Sequence, residues 1–214
     1  MSSDELTDLV GTLDHESYED ILKKMNEDDR EDVNMLLSYK PDTAGGIMAT
    51  EFVTIEENYS VEEALKYLQK EAPEAETAYY LYVVDSNEIL KGVVSLRDIV
   101  CNDFNTKISD ITNTNVITVT YMDQEEVANK FEKYGFLTIP VVDDNDKILG
   151  IVTIDDIVEI LQEETTEDIH RLGGIDKEER VDGTLGESIK SRLPWLIVNL
   201  ITAILAAAVV GVFE

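Results

Sequence analysis

Basic side chains are scarce. The 214 residues include 17 Lys and Arg against 46 Asp and Glu, a formal net charge of −29. Nucleic-acid binding needs clustered surface cations, so this composition excludes it. Attraction to anionic lipid is excluded on the same ground. Such a surface gathers cations, although a merely soluble acidic coat or adaptation to salt has the same composition. Cysteine is nearly absent: Cys101 stands alone, so no internal disulfide can form. With only His15 and His170, a Cys/His zinc site is not supported. Neither histidine lies in a nucleophile motif with Cys101. There is no P-loop, no Gly-x-Ser-x-Gly elbow and no metal-hydrolase histidine pattern, and the chain reads as not an enzyme. Residues 1–8 lack an apolar run, which argues against a signal peptide.

What the sequence does contain is a repeat. Residues 82–100 read YVVDSNEILKGVVSLRDIV and residues 140–158 read PVVDDNDKILGIVTIDDIV, aligned without a gap. Val83, Val84, Asp85, Asn87, Gly92, Val94, Asp98, Ile99 and Val100 recur unchanged 58 positions later. Each copy reads strand, polar turn, nearly continuous β-branched strand, then helix. Ser95 and Thr153 stand where those helices start, with Asp98 and Asp156 three residues on. Upstream, residues 52–64 parallel residues 116–128, each predicting a short strand and a helix. The expected fold class is α+β: a duplicated β-α-β-β-α unit over 39–104 and 105–163, paired face to face because neither copy can bury its sheet alone.

The flanks are helical. Apolar positions at helix spacing run from Leu6 to Leu37, with Asp14 and Asp28–Asp29 as candidate N-caps. Residues 1–38 read as the last helices of a helical domain, or as a docking arm. Residues 164–192 are dominated by charge and predict a helix, a kink at Gly173–Gly174, and a second helix. Residues 193–213 carry no charge. As a helix they reach about 30 Å, so a membrane span is expected. Lys190 and Arg192 just before it favour a cytosolic amino-terminal side, and Pro194 suits the first turn. Asn199 and Thr202 are its clearly polar side chains, suited to interhelical bonding or to a pore lining.

The pattern Gly-x-Val/Ile-Ser/Thr-x-x-Asp-Ile after a Val-Val-Asp turn resembles the CBS domain, and the tandem resembles a CBS pair, or Bateman module. Residues 39–48 (YKPDTAGGIM), 95–99 (SLRDI), 166–173 (TEDIHRLG) and 192–196 (RLPWL) are similar to segments of MgtE-type Mg²⁺ transporters, in that family's order. The resemblance implies an N-terminal helical domain, a CBS pair, a plug helix over 164–192 and the first of five membrane helices. It also implies a homodimer in a prokaryotic inner membrane, with residues 1–192 cytoplasmic. Against that family the chain reads as truncated after one span.

Mg²⁺ takes oxygen ligands in octahedral geometry and keeps several waters, so one or two carboxylates per ion suffice. Carboxylates three or four apart share a helix face, as do Asp4–Asp8, Asp156–Glu159, Glu164–Glu167 and Glu164–Asp168. Two such charges at about 4 Å repel by roughly 4 kcal/mol at an effective dielectric of about 20. Either a cation enters or the faces part, which makes a two-state switch. The resemblance implies regulatory Mg²⁺ ligands at Asp4, Asp8, Asp156, Glu159, Glu164, Glu167 and Asp168, with a carbonyl from Gly45 or Gly46 and further candidates at Glu125 and Glu132. Gly135 departs from the acidic residue expected there. Mn²⁺ or Co²⁺ fit the same chemistry.

CBS pairs also bind adenine nucleotides, which implies ATP as a modulator. Ser95 and Thr153 are then candidates for ribose or phosphate, Asp98 or Asp156 for ribose hydroxyls, Arg97 for phosphate, and Tyr79, Tyr80 or Phe136 for the base. The same hydroxyls and carboxylates also cap helices. Asp155 stands where the first copy has Arg97, which disfavours phosphate in one of the two clefts. Two functions are therefore carried forward: a Mg²⁺-sensing gating region, and a membrane-tethered CBS-pair adenine-nucleotide sensor.

Overall fold

The computed structural model describes residues 2–11, 13, 21–22, 24–71, 75–120, 122–172 and 185–213. They fall into two units, residues 1–158 and 159–214.

Helix α1 (Ser3–Gly11) buries Ser3, Thr7 and Val10, a single stripe at the spacing of one helix face. Helix α2 (Glu27–Leu36) buries Val33 and Leu36. Its N-cap is Asn26, whose side chain accepts from the Asp29 N–H at 2.8 Å. The cap expected at Asp28–Asp29 therefore lies two residues earlier. Those aspartates sit in the first turn instead, where negative charge is favoured by the helix dipole. Asp14 lies outside the described residues.

The first copy runs β1 (Thr54–Glu56), α3 (Val61–Glu71), β2 (Tyr80–Val84), β3 (Leu90–Ser95) and α4 (Leu96–Cys101), followed by the short α5 (Ile108–Ile111). Strand β2 pairs with β1 in parallel and with β3 antiparallel. The second copy runs α6 (Gln124–Tyr134), β4 (Thr138–Val142), β5 (Ile148–Thr153) and α7 (Ile154–Leu172), with β4 and β5 antiparallel. The strand expected at the head of the second copy is reduced to one parallel bridge, Val119 to Val141. Its upstream backbone is committed elsewhere: Asn113 exchanges both hydrogen bonds with Val93 of the other copy, at 2.9 and 3.0 Å.

Each copy thus lends one residue to the other. Asn113 bridges Val93, and at the equivalent place Ala49 bridges Ile151. Glycine permits this approach. A Cβ on Gly92 would lie 2.7 Å from the Asn113 carbonyl oxygen, and one on Gly150 would lie 2.8 Å from that of Ala49. The hairpin turns repeat as well. Asp85 Oδ1 accepts from the Asn87 and Ile89 N–H groups, and Asp143 Oδ1 from those of Asn145 and Lys147. These bonds hold both carboxyls below the usual range, with the Lys91 side chain the largest contributor at Asp85. The two turns meet through an Ile89–Lys147 bridge.

Alternation along β2 divides its side chains between two packed faces. Leu81 and Val83 join Ile55, Val61, Ala64, Val94 and Ile99 in one cluster. Tyr82 and Val84 face Ala49, Ile148 and Ile151, a cluster that draws on both copies.

Beyond the pair, α7 continues to Leu172 and α8 spans Leu185–Phe213. The segment between them, with the expected kink at Gly173–Gly174, lies outside the described residues. Because α8 starts at Leu185, Pro194 sits inside the helix and not in its first turn. Its missing N–H costs that helix one backbone bond. Among the described residues no helix is long and apolar enough to cross a membrane. The uninterrupted run of described side chains in α8 covers Leu193 to Val209 and is exposed throughout. The Thr202 hydroxyl is satisfied within the helix, donating to the Val198 carbonyl at 2.9 Å.

Candidate functional site

An acidic junction forms where α1 meets the CBS pair. Ser3 is 2 % exposed and anchors it. The Thr50 N–H donates to Ser3 Oγ at 3.0 Å, and Ser3 Oγ donates to Glu51 Oε2 at 2.8 Å. The Thr50 hydroxyl lies 2.9 Å from Ser3 Oγ and 3.0 Å from Asp32 Oδ2, with one proton to give between them. Asp4, the next residue, has a carboxylate oxygen, Oδ1, that is buried without a hydrogen-bond partner. At the start of α7, the Thr153 hydroxyl lies 2.5 Å from both Asp155 Oδ1 and Asp156 Oδ2, but has only one proton to give.

The electrostatics follow from this crowding. Burial pushes Asp156 up to about 6; the Thr153 hydrogen bond opposes the shift, while the charges of Asp4 and Asp155 add to it. Glu76, whose N–H donates to the Glu51 carbonyl at 2.7 Å, is raised by burial and then by Asp4, Asp156, Glu51 and Asp155. Among the described residues no basic side chain offsets either shift. A small divalent cation that keeps most of its water needs few protein oxygens, and the Asp4–Asp156 carboxylates with an unpartnered buried oxygen fit that demand. Among the described residues no three or more Asp, Glu, His or Cys side chains close around one point.

The other expected ligands are dispersed. Asp8 is exposed on α1, and Glu125 and Glu132 are exposed on α6. Gly45 is buried beneath Tyr39, where a Cβ would lie 2.6 Å from the ring, so packing explains that glycine. Gly135 ends α6 in the left-handed conformation, φ 67°, with its N–H on the Phe131 carbonyl. Glu159 is exposed and Glu164 half-buried on α7. Glu167 and Asp168 belong to the same helix, but their side chains lie outside the described residues. Glu51, Glu76 and Asp32 had no periodicity to mark them: they reach the junction from a loop, a loop and a neighbouring helix.

Between β2 and β4 is a cavity of about 200 Å³, lined by residues including Tyr80, Tyr82, Val93, Asn113, Phe136 and Thr138. Of the expected nucleotide residues Tyr80 and Phe136 are among them. Tyr79 is 65 % exposed. Ser95 and Asp98 are engaged in a reciprocal capping box at the start of α4, and Arg97 is exposed on that helix. Thr153 is buried and bonded at the acidic junction. Tyr82 and Thr138 were not foreseen. Their signal was the alternation that puts Tyr80 and Tyr82 on one face of β2, with Thr138 and Pro140 at the equivalent positions of β4.

The CBS domain family model matches residues 44–102 and 108–163, and the MgtE intracellular N domain model matches residues 1–42. The chain belongs to the MgtE family. The magnesium transporter MgtE of Thermus thermophilus is 42% identical over 188 residues, which cover 86% of this chain and 42% of the relative. That of Enterococcus faecalis is 45% identical over 184 residues, covering 86% and 40%. The chain therefore spans less than half the length of these MgtE relatives. A crystal structure of the soluble part of a magnesium transporter superposes with a TM-score of 0.74 at 44% identity, covering 77% of this chain and 64% of that one. The cytosolic domain of the Mg²⁺ channel MgtE in complex with ATP superposes with a TM-score of 0.73 at 40% identity, covering 75% and 66%. MgtE N domains and CBS pairs are non-catalytic regulatory modules, and this MgtE-family chain is such a regulatory region.

Proposed function

We propose that the chain is the Mg²⁺-sensing and gating region of a Mg²⁺ transporter or channel. The observation that carries this reading is the Asp4 oxygen buried without a partner beside Asp156, itself reluctant to ionise. Without a cation these carboxylates repel, and α1 is pushed from the start of α7. A bound Mg²⁺ supplies the missing positive charge and holds the junction closed. Glu159, Glu164, Glu167 and Asp168 along α7, with Asp8, Gly45, Glu125 and Glu132, are proposed as further ligands that extend the same closure to the connecting helix. ATP is proposed as a modulator in the cavity lined by Phe136, in line with the ATP complex of the related cytosolic domain.

The working unit is proposed to be a homodimer. Exposed apolar side chains recur at equivalent places in the two copies: Tyr79 and Leu137 at 65% and 44%, Val100 and Val158 at 66% and 46% exposure. A surface repeated about a pseudo-twofold axis is suited to an isologous contact. Residues 193–213 are proposed to span a prokaryotic inner membrane, with residues 1–192 in the cytoplasm. Their uncharged sequence supports this.

Limited proteolysis of the detergent-solubilised chain tests the gating reading. Millimolar Mg²⁺ is expected to slow cleavage, and Asp4→Asn with Asp156→Asn to abolish the protection. Identical cleavage with and without Mg²⁺ overturns it. The nucleotide-sensor reading has its own support in the cavity, and heat of ATP binding with no Mg²⁺-linked change in shape would favour it.

A further inference from the structure

The cavity between β2 and β4 holds a pair of hydroxyls. Tyr82 OH and Thr138 Oγ1 lie 2.9 Å apart, joining strands β2 and β4 across the two copies. Both side chains line the cavity and are nearly buried, at 2% and 8% exposure. Shifting each residue by the 58-residue repeat gives Pro140 and, in the other direction, Tyr80. All four residues line the same cavity, and proline has no hydroxyl, so the duplication did not generate this pair.

Two hydroxyls carry two protons, and the contact between them uses one. The remaining proton and an oxygen lone pair are left to face the cavity as a donor beside an acceptor. Burial holds the Tyr82 phenol up to about 12, so it stays protonated at neutral pH. A cavity of about 150 Å³ takes a benzene ring. About 200 Å³ therefore suits one bicyclic heteroaromatic ring, while a sugar and phosphates would extend outside. Tyr80 and Phe136 supply aromatic walls beside it.

We infer that Tyr82 and Thr138 are the base-reading pair of this cavity, recognising the edge of a 6-aminopurine, where a ring-nitrogen acceptor adjoins an amino donor. The inference rests on the nucleotide reading above and names its specificity determinant. The pair accepts from the amino group and donates to the ring nitrogen. A purine without the amino group keeps its shape and loses one of those bonds.

The test is isothermal titration of the full chain with ATP and with purine riboside 5′-triphosphate at one fixed free Mg²⁺ concentration. Wild type is expected to prefer ATP by about fivefold to tenfold, the weight of one buried hydrogen bond. Tyr82→Phe and, separately, Thr138→Val are expected to bring the preference below about twofold while binding of the purine analogue persists. Equal binding of the two nucleotides by wild type overturns the inference and leaves the nucleotide reading standing. A preference retained by both variants overturns it as well. If neither nucleotide binds, both readings fall.

Discussion

The Asp156 carboxylate accepts the Thr153 hydroxyl at 2.5 Å and is nevertheless held up to about 6. A hydrogen bond to the charged form lowers a carboxyl's pKa, so burial and like charge outweigh it here. A carboxyl whose folded pKa exceeds its unfolded value binds more protons in the native state over the interval between them. Its burden on stability is therefore absent below about pH 4 and fully present above about pH 6. Glu76 is raised too and adds in the same direction. Asp85 and Asp143, whose pKa values are lowered, contribute stability that is lost only as pH falls below the ordinary carboxylate range. Metal-free chain is expected to become more stable as pH falls from 7 to about 5, and less stable again below about 4. Urea midpoints across that range, in chelator, measure it. A flat profile from 7 to 5 contradicts the assigned crowding.

Removing one charge from the junction separates its electrostatic cost from its ligand value. Asp156→Asn is expected to stabilise the metal-free chain by on the order of 1 kcal/mol, a figure discounted for the partial exposure of the group. The same change is expected to remove most of the stabilisation that millimolar Mg²⁺ confers on wild type. Thermal melts with chelator and with Mg²⁺ read both effects. A variant destabilised in chelator shows that Asp156 serves chiefly to cap α7 through Thr153.

Much of the architecture was legible in the sequence because the repeat is in register: identical residues 58 apart fix the turns, the glycines and the helix starts together. Two errors have local causes. Asn26 competes with Asp28 for the cap of α2, and composition alone does not rank them. Residues 113–119 carry strand-forming side chains, yet their backbone is divided between two copies, which no single-strand pattern reveals. At the junction Asp4 and Asp156 were legible from the resemblance. Glu51 and Glu76 were not, since loop residues are placed by tertiary contacts and follow no period. Tyr82 and Thr138 were hidden for a related reason: alternation shows which residues share a face, but which face borders the cleft is set by the other copy.

The repeated apolar surface predicts the effect of charge on assembly. Val100 and Val158 are exposed at 66% and 46%, so aspartate at either place leaves the core intact. Val100→Asp with Val158→Asp is expected to halve the mass of the protein component measured by light scattering in detergent. Wild type that is already monomeric, or a double variant of unchanged mass, removes the surface from the proposed dimer contact.

Gly135 offers the sharpest separation of backbone from charge. It departs from the acidic residue expected in a close relative, and its φ of 67° is conformationally costly for most side chains. Nothing lies within 4 Å of a Cβ built there, so no steric clash enters. Gly135→Ala is expected to cost about 1 kcal/mol from the left-handed cap alone. Gly135→Asp is expected to cost less, because a short polar side chain can bond its own backbone in that conformation. If the position borders a cation site, Mg²⁺ recovers stability in Gly135→Asp beyond its effect on wild type, and leaves Gly135→Ala unimproved. Denaturant titrations of both variants with and without Mg²⁺ decide it. Equal Mg²⁺ responses in the two variants assign Gly135 to the helix terminus alone, and leave Glu132 as the nearer carboxylate on α6 to test.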